Sequence, residues 1–257
     1  MSRPLTPSTP SRWRLGLLLW LLGMPGVVAV VASLVPTLRA NAGLLPAPVE
    51  WVIALSGLQT AGFLALAVAA GVACAPRVGL HAPWVEAWCG WPAAASSPAR
   101  ERRGALTWGM GAGALGALWL VLLAAWAPES LRAQGAPVVA SWPVRLLYGG
   151  VTEELLMRWG VMSFLVWFFW KLLPRREPQP SAGVLWAGVL VSAALFAVGH
   201  LPAAQAMAGG LTAPVVVFVL VGNSVWGVVA GLLYARKGLE AAMLAHLIAH
   251  LGTAPFF

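Results

Sequence analysis

Charge is scarce in this chain of 257 residues: 9% are charged and 60% hydrophobic. A soluble domain carries roughly 25% charged residues, so an ordinary soluble globular protein is excluded. Aspartate is missing altogether, and every carboxylate role falls to eight glutamates. The two cysteines, Cys74 and Cys89, are too few for a metal site of their own. Both fall on the side expected to face the reducing cytoplasm, so no disulfide is expected. Lysine is down to two residues against fourteen arginines, and with the abundance of Ala, Gly, Pro and Trp this fits a GC-rich bacterial genome. No internal repeat is visible.

What fills the chain is long apolar runs. Segments of about 20 residues, enough to cross a hydrocarbon core of ~30 Å, lie at 15–36, 49–75, 104–127, 142–172, 181–204, 211–235 and 239–257. The expected fold is all-α, a polytopic integral membrane helix bundle of about seven transmembrane helices. With the N-terminus inside, twelve basic residues fall on the inner side, among them Arg100, Arg102, Arg103, Arg175 and Arg176, and only Arg39 and Arg132 on the outer. That bias predicts a multi-pass protein of the bacterial inner membrane, N-terminus cytoplasmic and C-terminus outside. It also accounts for the formal charge of +8 with no nucleic acid as partner.

The first run follows basic residues, and Ala40-Asn41-Ala42 resembles a signal-peptidase site. Residues 15–35 are uninterrupted, however, longer than a signal core of about 7–15 residues, and a retained helix is expected, with a kink at Pro25. Residues 1–14 read as a cytoplasmic tail, 15–127 as N-terminal transmembrane helices with a cytoplasmic loop at 76–103, and 142–257 as a C-terminal helical core. In the loop, Trp84, Trp88 and Trp91 share one helical face, as an interfacial amphipathic helix would place them.

Residues 151–159, V-T-E-E-L-L-M-R-W, put Glu153, Glu154 and Arg158 inside an apolar run. At about 2.5–3.5 kcal/mol each near a helix centre, three unpaired charges would cost on the order of 8–10 kcal/mol. Glu154 and Arg158, four apart, can pair; Glu153 points about 100° away and is left over. An ion pair that fixes packing explains the first two and not the third, whereas an unpaired carboxyl in an apolar setting is a candidate general base. Of the histidines, His81 sits in the loop, while His200, His246 and His250 all fall in spans, the last two on one helical face.

In this order Glu153-Glu154-x-x-x-Arg158, Phe196-x-x-x-His200 and His246-x-x-x-His250 resemble the motifs of the CAAX-protease and bacteriocin-processing family of intramembrane proteases, which includes the Abi and Rce types. The resemblance covers residues 142–252. It implies that Glu153 activates a water, that His200 holds or deprotonates it, that His246 and the residue four later stabilise the oxyanion, and that Glu154 and Arg158 support them, with Phe196 beside His200. The family usually has asparagine where His250 stands; a neutral imidazole can still donate a hydrogen bond there. Two chemistries remain open: a metal-free glutamate and histidine mechanism without a cofactor, or Glu153, His200, His246 and His250 as a zinc or other divalent metal set.

The implied substrate is a membrane-anchored or membrane-inserted protein cut near its C-terminus or the membrane. Alternatives are a proton-coupled transporter with a Glu/His relay, or an inactive immunity or scaffold member of the family. Depth raises a difficulty: at about 1.5 Å per residue, Glu153 and His200 lie about 27 Å from the cytoplasmic ends of their helices and His246 about 12 Å. Gly149-Gly150 and Gly209-Gly210 are expected to allow close helix approach or a gate. Trp159 is expected in a cavity wall or facing lipid.

Overall fold

The computed structural model describes residues 11–90, 98–132, 141–172 and 178–255. Among these, all regular structure is helical. In chain order the elements are α1 (Arg12–Ala40), α2 (Val49–Cys74), α3 (Pro83–Trp88), α4 (Pro98–Ala125), α5 (Glu129–Arg132), α6 (Val144–Leu172), α7 (Ala182–Gly199), α8 (Leu201–Ala208), α9 (Ala213–Lys237) and α10 (Leu239–Gly252). Six helices are long and apolar enough to cross a membrane, with α7 and α8 together forming one of them. The seventh apolar segment is shorter than expected: α10 has 14 residues, about 21 Å against a hydrocarbon core of ~30 Å. The protein is a multi-pass helical membrane bundle.

The packing inverts that of a soluble protein. Large apolar side chains on α1, α2 and α4, such as Leu21, Leu66 and Leu115, are exposed on the outside, where lipid is the solvent. Inside, Leu155, Trp159 and Met162 of α6 are fully buried with Leu15 and Leu19 of α1 and Leu64 of α2. Between apolar helices in lipid, close contact rather than water exclusion holds the bundle. A Cβ placed on Gly160 would meet Ala67 of α2 at 2.6 Å, and one on Gly113 of α4 would meet Ile248 of α10 at 2.6 Å. Gly150 is equally tight, 2.5 Å from Leu247, whereas Gly209 and Gly210 have nothing within 4 Å. The expected close approach therefore holds at the first glycine pair and fails at the second, where Gly209 instead supplies a left-handed φ of 69° that ends α8.

α6 is not a regular α-helix. Val144–Thr152 and Leu155–Met162 are wound wide, with i→i+5 bonding such as the Glu153 N–H to the Tyr148 carbonyl. The Thr152 hydroxyl, hydrogen bonded to the carbonyls of Gly23 (2.7 Å) and Leu147 (3.2 Å), sits where the winding loosens. More residues per turn means less rise per residue, so counting at 1.5 Å overstates the depth of Glu153.

The loop before α4 holds the start of α10 inside the molecule. The His81 carbonyl accepts the Leu239 N–H at 3.1 Å, and Glu240 Oε1 accepts the N–H groups of Trp84 (2.8 Å) and Val85 (3.0 Å). Glu240 thereby caps α3 from a distant helix. α10 begins at this loop, with Leu239 fully buried, and His246, about two turns on, meets Glu154 of α6 directly. α3 spans only six residues; Trp84 is half-buried, Trp88 is exposed, and Trp91 lies outside the described residues. The expected three-tryptophan face is thus seen in part. Also outside them lie residues 1–10 of the expected tail, and Arg175 and Arg176.

Candidate active site

The site forms where α6, α7 and α10 meet. Glu154 is fully buried and divides its carboxylate between two partners: Oε2 lies 3.1 Å from Arg158 Nε, and Oε1 lies 2.8 Å from His246 Nδ1. The first contact is the i, i+4 pair expected from spacing; the second joins residues 92 apart. Because an ionised carboxylate only accepts, Nδ1 of His246 carries the hydrogen and Nε2 is turned away from Glu154. The two terminal nitrogens of Arg158 have no hydrogen-bond partner among the described residues. Its guanidinium carbon lies instead 4.6 Å from the centre of the Phe196 ring, a cation–π contact that offsets part of the desolvation cost.

Phe196 connects this pair to His200. The His200 ring meets Phe196 edge-on with centroids 4.6 Å apart, and Nδ1 donates to the Phe196 carbonyl at 2.8 Å. A carbonyl cannot donate, so this bond fixes the tautomer and leaves the Nε2 lone pair free. His200 stands at the break between α7 and α8 and is half-buried.

His250 has no side-chain hydrogen bond among the described residues and is held by stacking on His246, centroids 4.9 Å apart at 25°. Trp226 of α9 closes the other side of His246 at 5.1 Å. Gly149 is required here: a Cβ on it would lie 3.0 Å from His250 Nε2 and 3.8 Å from His246 Nε2. The Nε2 atoms of both rings are therefore turned towards the α6 backbone at residue 149, four residues before Glu153. Arg145 donates to the His250 carbonyl at 3.1 Å and to the Thr253 hydroxyl, and its guanidinium lies 4.3 Å over the Trp142 ring. It anchors the end of α10.

Glu153, at the next position along α6, contrasts with Glu154. Its side chain is half-buried and makes no hydrogen bond or ion pair among the described residues. The structure thus brings Glu154, Arg158, Phe196, His200 and His246 into one chain of contacts, adds His250 by stacking, and leaves Glu153 outside that chain, with no hydrogen bond or ion pair among the described residues. Among the described residues no three of His, Cys, Asp and Glu are grouped so as to hold a metal ion. Nδ1 of both His200 and His246 is engaged, which leaves Nε2 as the open nitrogen of each ring.

Trp159 is neither cavity wall nor lipid-facing: it is fully buried between α6 and α2, donating its indole N–H to the Val68 carbonyl at 3.2 Å. Sequence reasoning missed Trp226, Glu240 and the role of Arg145. Arg145 had a signal, a charge near the end of an apolar run; Trp226 had none.

No curated protein and no solved structure matches the chain. A family model does: residues 135–252 match the Rce1-like family, described as type II CAAX prenyl endopeptidase Rce1-like. The matched segment holds α6 to α10 and with them Glu153, Glu154, Arg158, Phe196, His200, His246 and His250. Residues 135–252, a little under half of the chain, thus form a region similar to the Rce1-like CAAX-protease family.

Proposed function

We propose that the protein is an intramembrane endopeptidase of the bacterial inner membrane that uses a glutamate and histidines, without a cofactor, to cleave a membrane-anchored or membrane-inserted protein near its C-terminus or the membrane. One observation carries the reading: of two adjacent glutamates, Glu154 is ion-paired with Arg158 and accepts from His246, while Glu153 makes no hydrogen bond or ion pair among the described residues. A carboxylate left without a hydrogen bond or ion pair, one residue along from the Glu154–His246 contact, is the group available to move a proton.

The roles follow from the hydrogen bonds. Glu153 takes a proton from water as the water oxygen bonds to the scissile carbonyl carbon, whose C=O electrons move onto oxygen. His200 Nε2, an acceptor because Nδ1 is occupied, receives a hydrogen bond from that water and orients it. Glu154, accepting from His246 Nδ1, holds that ring stacked on His250, and an imidazole N–H on this side donates to the developing oxyanion. Collapse breaks the C–N bond, and the proton on Glu153 passes to the leaving amine. Residues 142–257 carry this chemistry and 15–127 enclose it.

The test is cleavage of a panel of membrane-inserted peptides by the protein in proteoliposomes, with fragments identified by mass spectrometry. Glu153→Gln and His200→Ala are expected to lose cleavage while keeping the fold. Full activity in either variant would overturn the assignment.

A further inference from the structure

α4 and α9 are in close contact where the Trp119 indole donates to the Gly222 carbonyl at 3.2 Å and Gly116 abuts the Trp226 ring. Towards the end of the bundle rich in arginine and lysine they part around a groove of about 340 Å³, walled by Ala112, Val229, Leu232 and Leu233. That volume is in the range of small-ligand sites, roughly 300–1,000 Å³. Its mouth is different in kind from its walls: Trp108, Arg236 and Lys237 stand there, with Lys237 Nζ 5.3 Å from the Trp108 ring centre. Neither cation has a carboxylate partner among the described residues.

An apolar slot between two membrane helices with two unpaired cations and a tryptophan at its mouth matches one chemistry, a hydrocarbon chain bearing an anionic head. In a bilayer the tryptophan belongs at the headgroup level, and basic pockets between helices recognise anionic lipid heads. We propose that this groove seats one anionic phospholipid, its acyl chain between α4 and α9 and its phosphate on Arg236 and Lys237. The site adjoins the turn at Gly238 that leads from α9 into α10. It needs no assumption about the peptidase chemistry.

The test is native mass spectrometry of the full-length protein, stripped of lipid in detergent and then offered phosphatidylglycerol or phosphatidylcholine. The protein is expected to retain one phosphatidylglycerol with a preference on the order of tenfold over phosphatidylcholine. The double variant Arg236→Gln/Lys237→Gln should lose that preference. Ala112→Phe, which keeps both cations and fills the groove, should lose the retained lipid, and the unfolding temperature of each variant checks that it is folded. Equal retention of the two lipids by the natural protein, or an unchanged preference in either folded variant, would overturn the proposal.

Discussion

The two faces of α6 differ more than their sequence suggests. On one, Glu154 and Arg158 are buried, paired and packed against His246 and Phe196. On the other, a single residue away, Glu153 is half-buried and unbonded among the described residues. The first face pairs its charges with each other and with His246, and so ties helices together; the second has a charge left to use. Burial alone does not separate structural from chemical carboxylates, but partner accounting does.

The contrast can be broken at either face. The largest effect is expected from Glu153→Gln: peptide cleavage should fall by roughly 10²–10⁴-fold, while the thermal unfolding midpoint in detergent stays where it was. Arg158→Met leaves Glu154 buried with only His246, and should destabilise the fold by about 3–5 kcal/mol in a denaturant titration. Gly149→Ala pushes a methyl group against His250 Nε2 and should cost about 1–3 kcal/mol, with His250 moving more than His200 in histidine-selective NMR. The smallest change is expected from Trp159→Phe, which removes one buried hydrogen bond to α2 at about 1 kcal/mol; unfolding should detect it and cleavage should not.

Much of the bundle is legible in the sequence because bilayer thickness sets helix length, and the six long spans fall within a few residues of the hydropathy runs. The Glu154–Arg158 pair is legible because i and i+4 meet on any helix. The Glu154–His246 bond is not, since it depends on which helices neighbour one another. Nor is the level at which they meet, because the wide winding of α6 departs from ideal rise and α10 starts at a buried residue. Periodicity assigned the tryptophans of residues 84–91 to one face without seeing that Glu240, from the far end of the chain, caps α3 and limits how that loop can lie.

The hanging of α10 from the 81–85 loop has a mechanical side. Leu239 to His246 is a stiff rod of about 10 Å, tied at its first residues to the backbone of the loop and bearing an imidazole of the site at its other end. A rod transmits displacement along its axis with little loss, so a push on the loop at the basic surface arrives at His246 nearly undiminished. An error of 1 Å in placing such a group can cost about 10²-fold in rate. The loop is therefore a handle on the site, within reach of whatever binds the surface from which α10 starts.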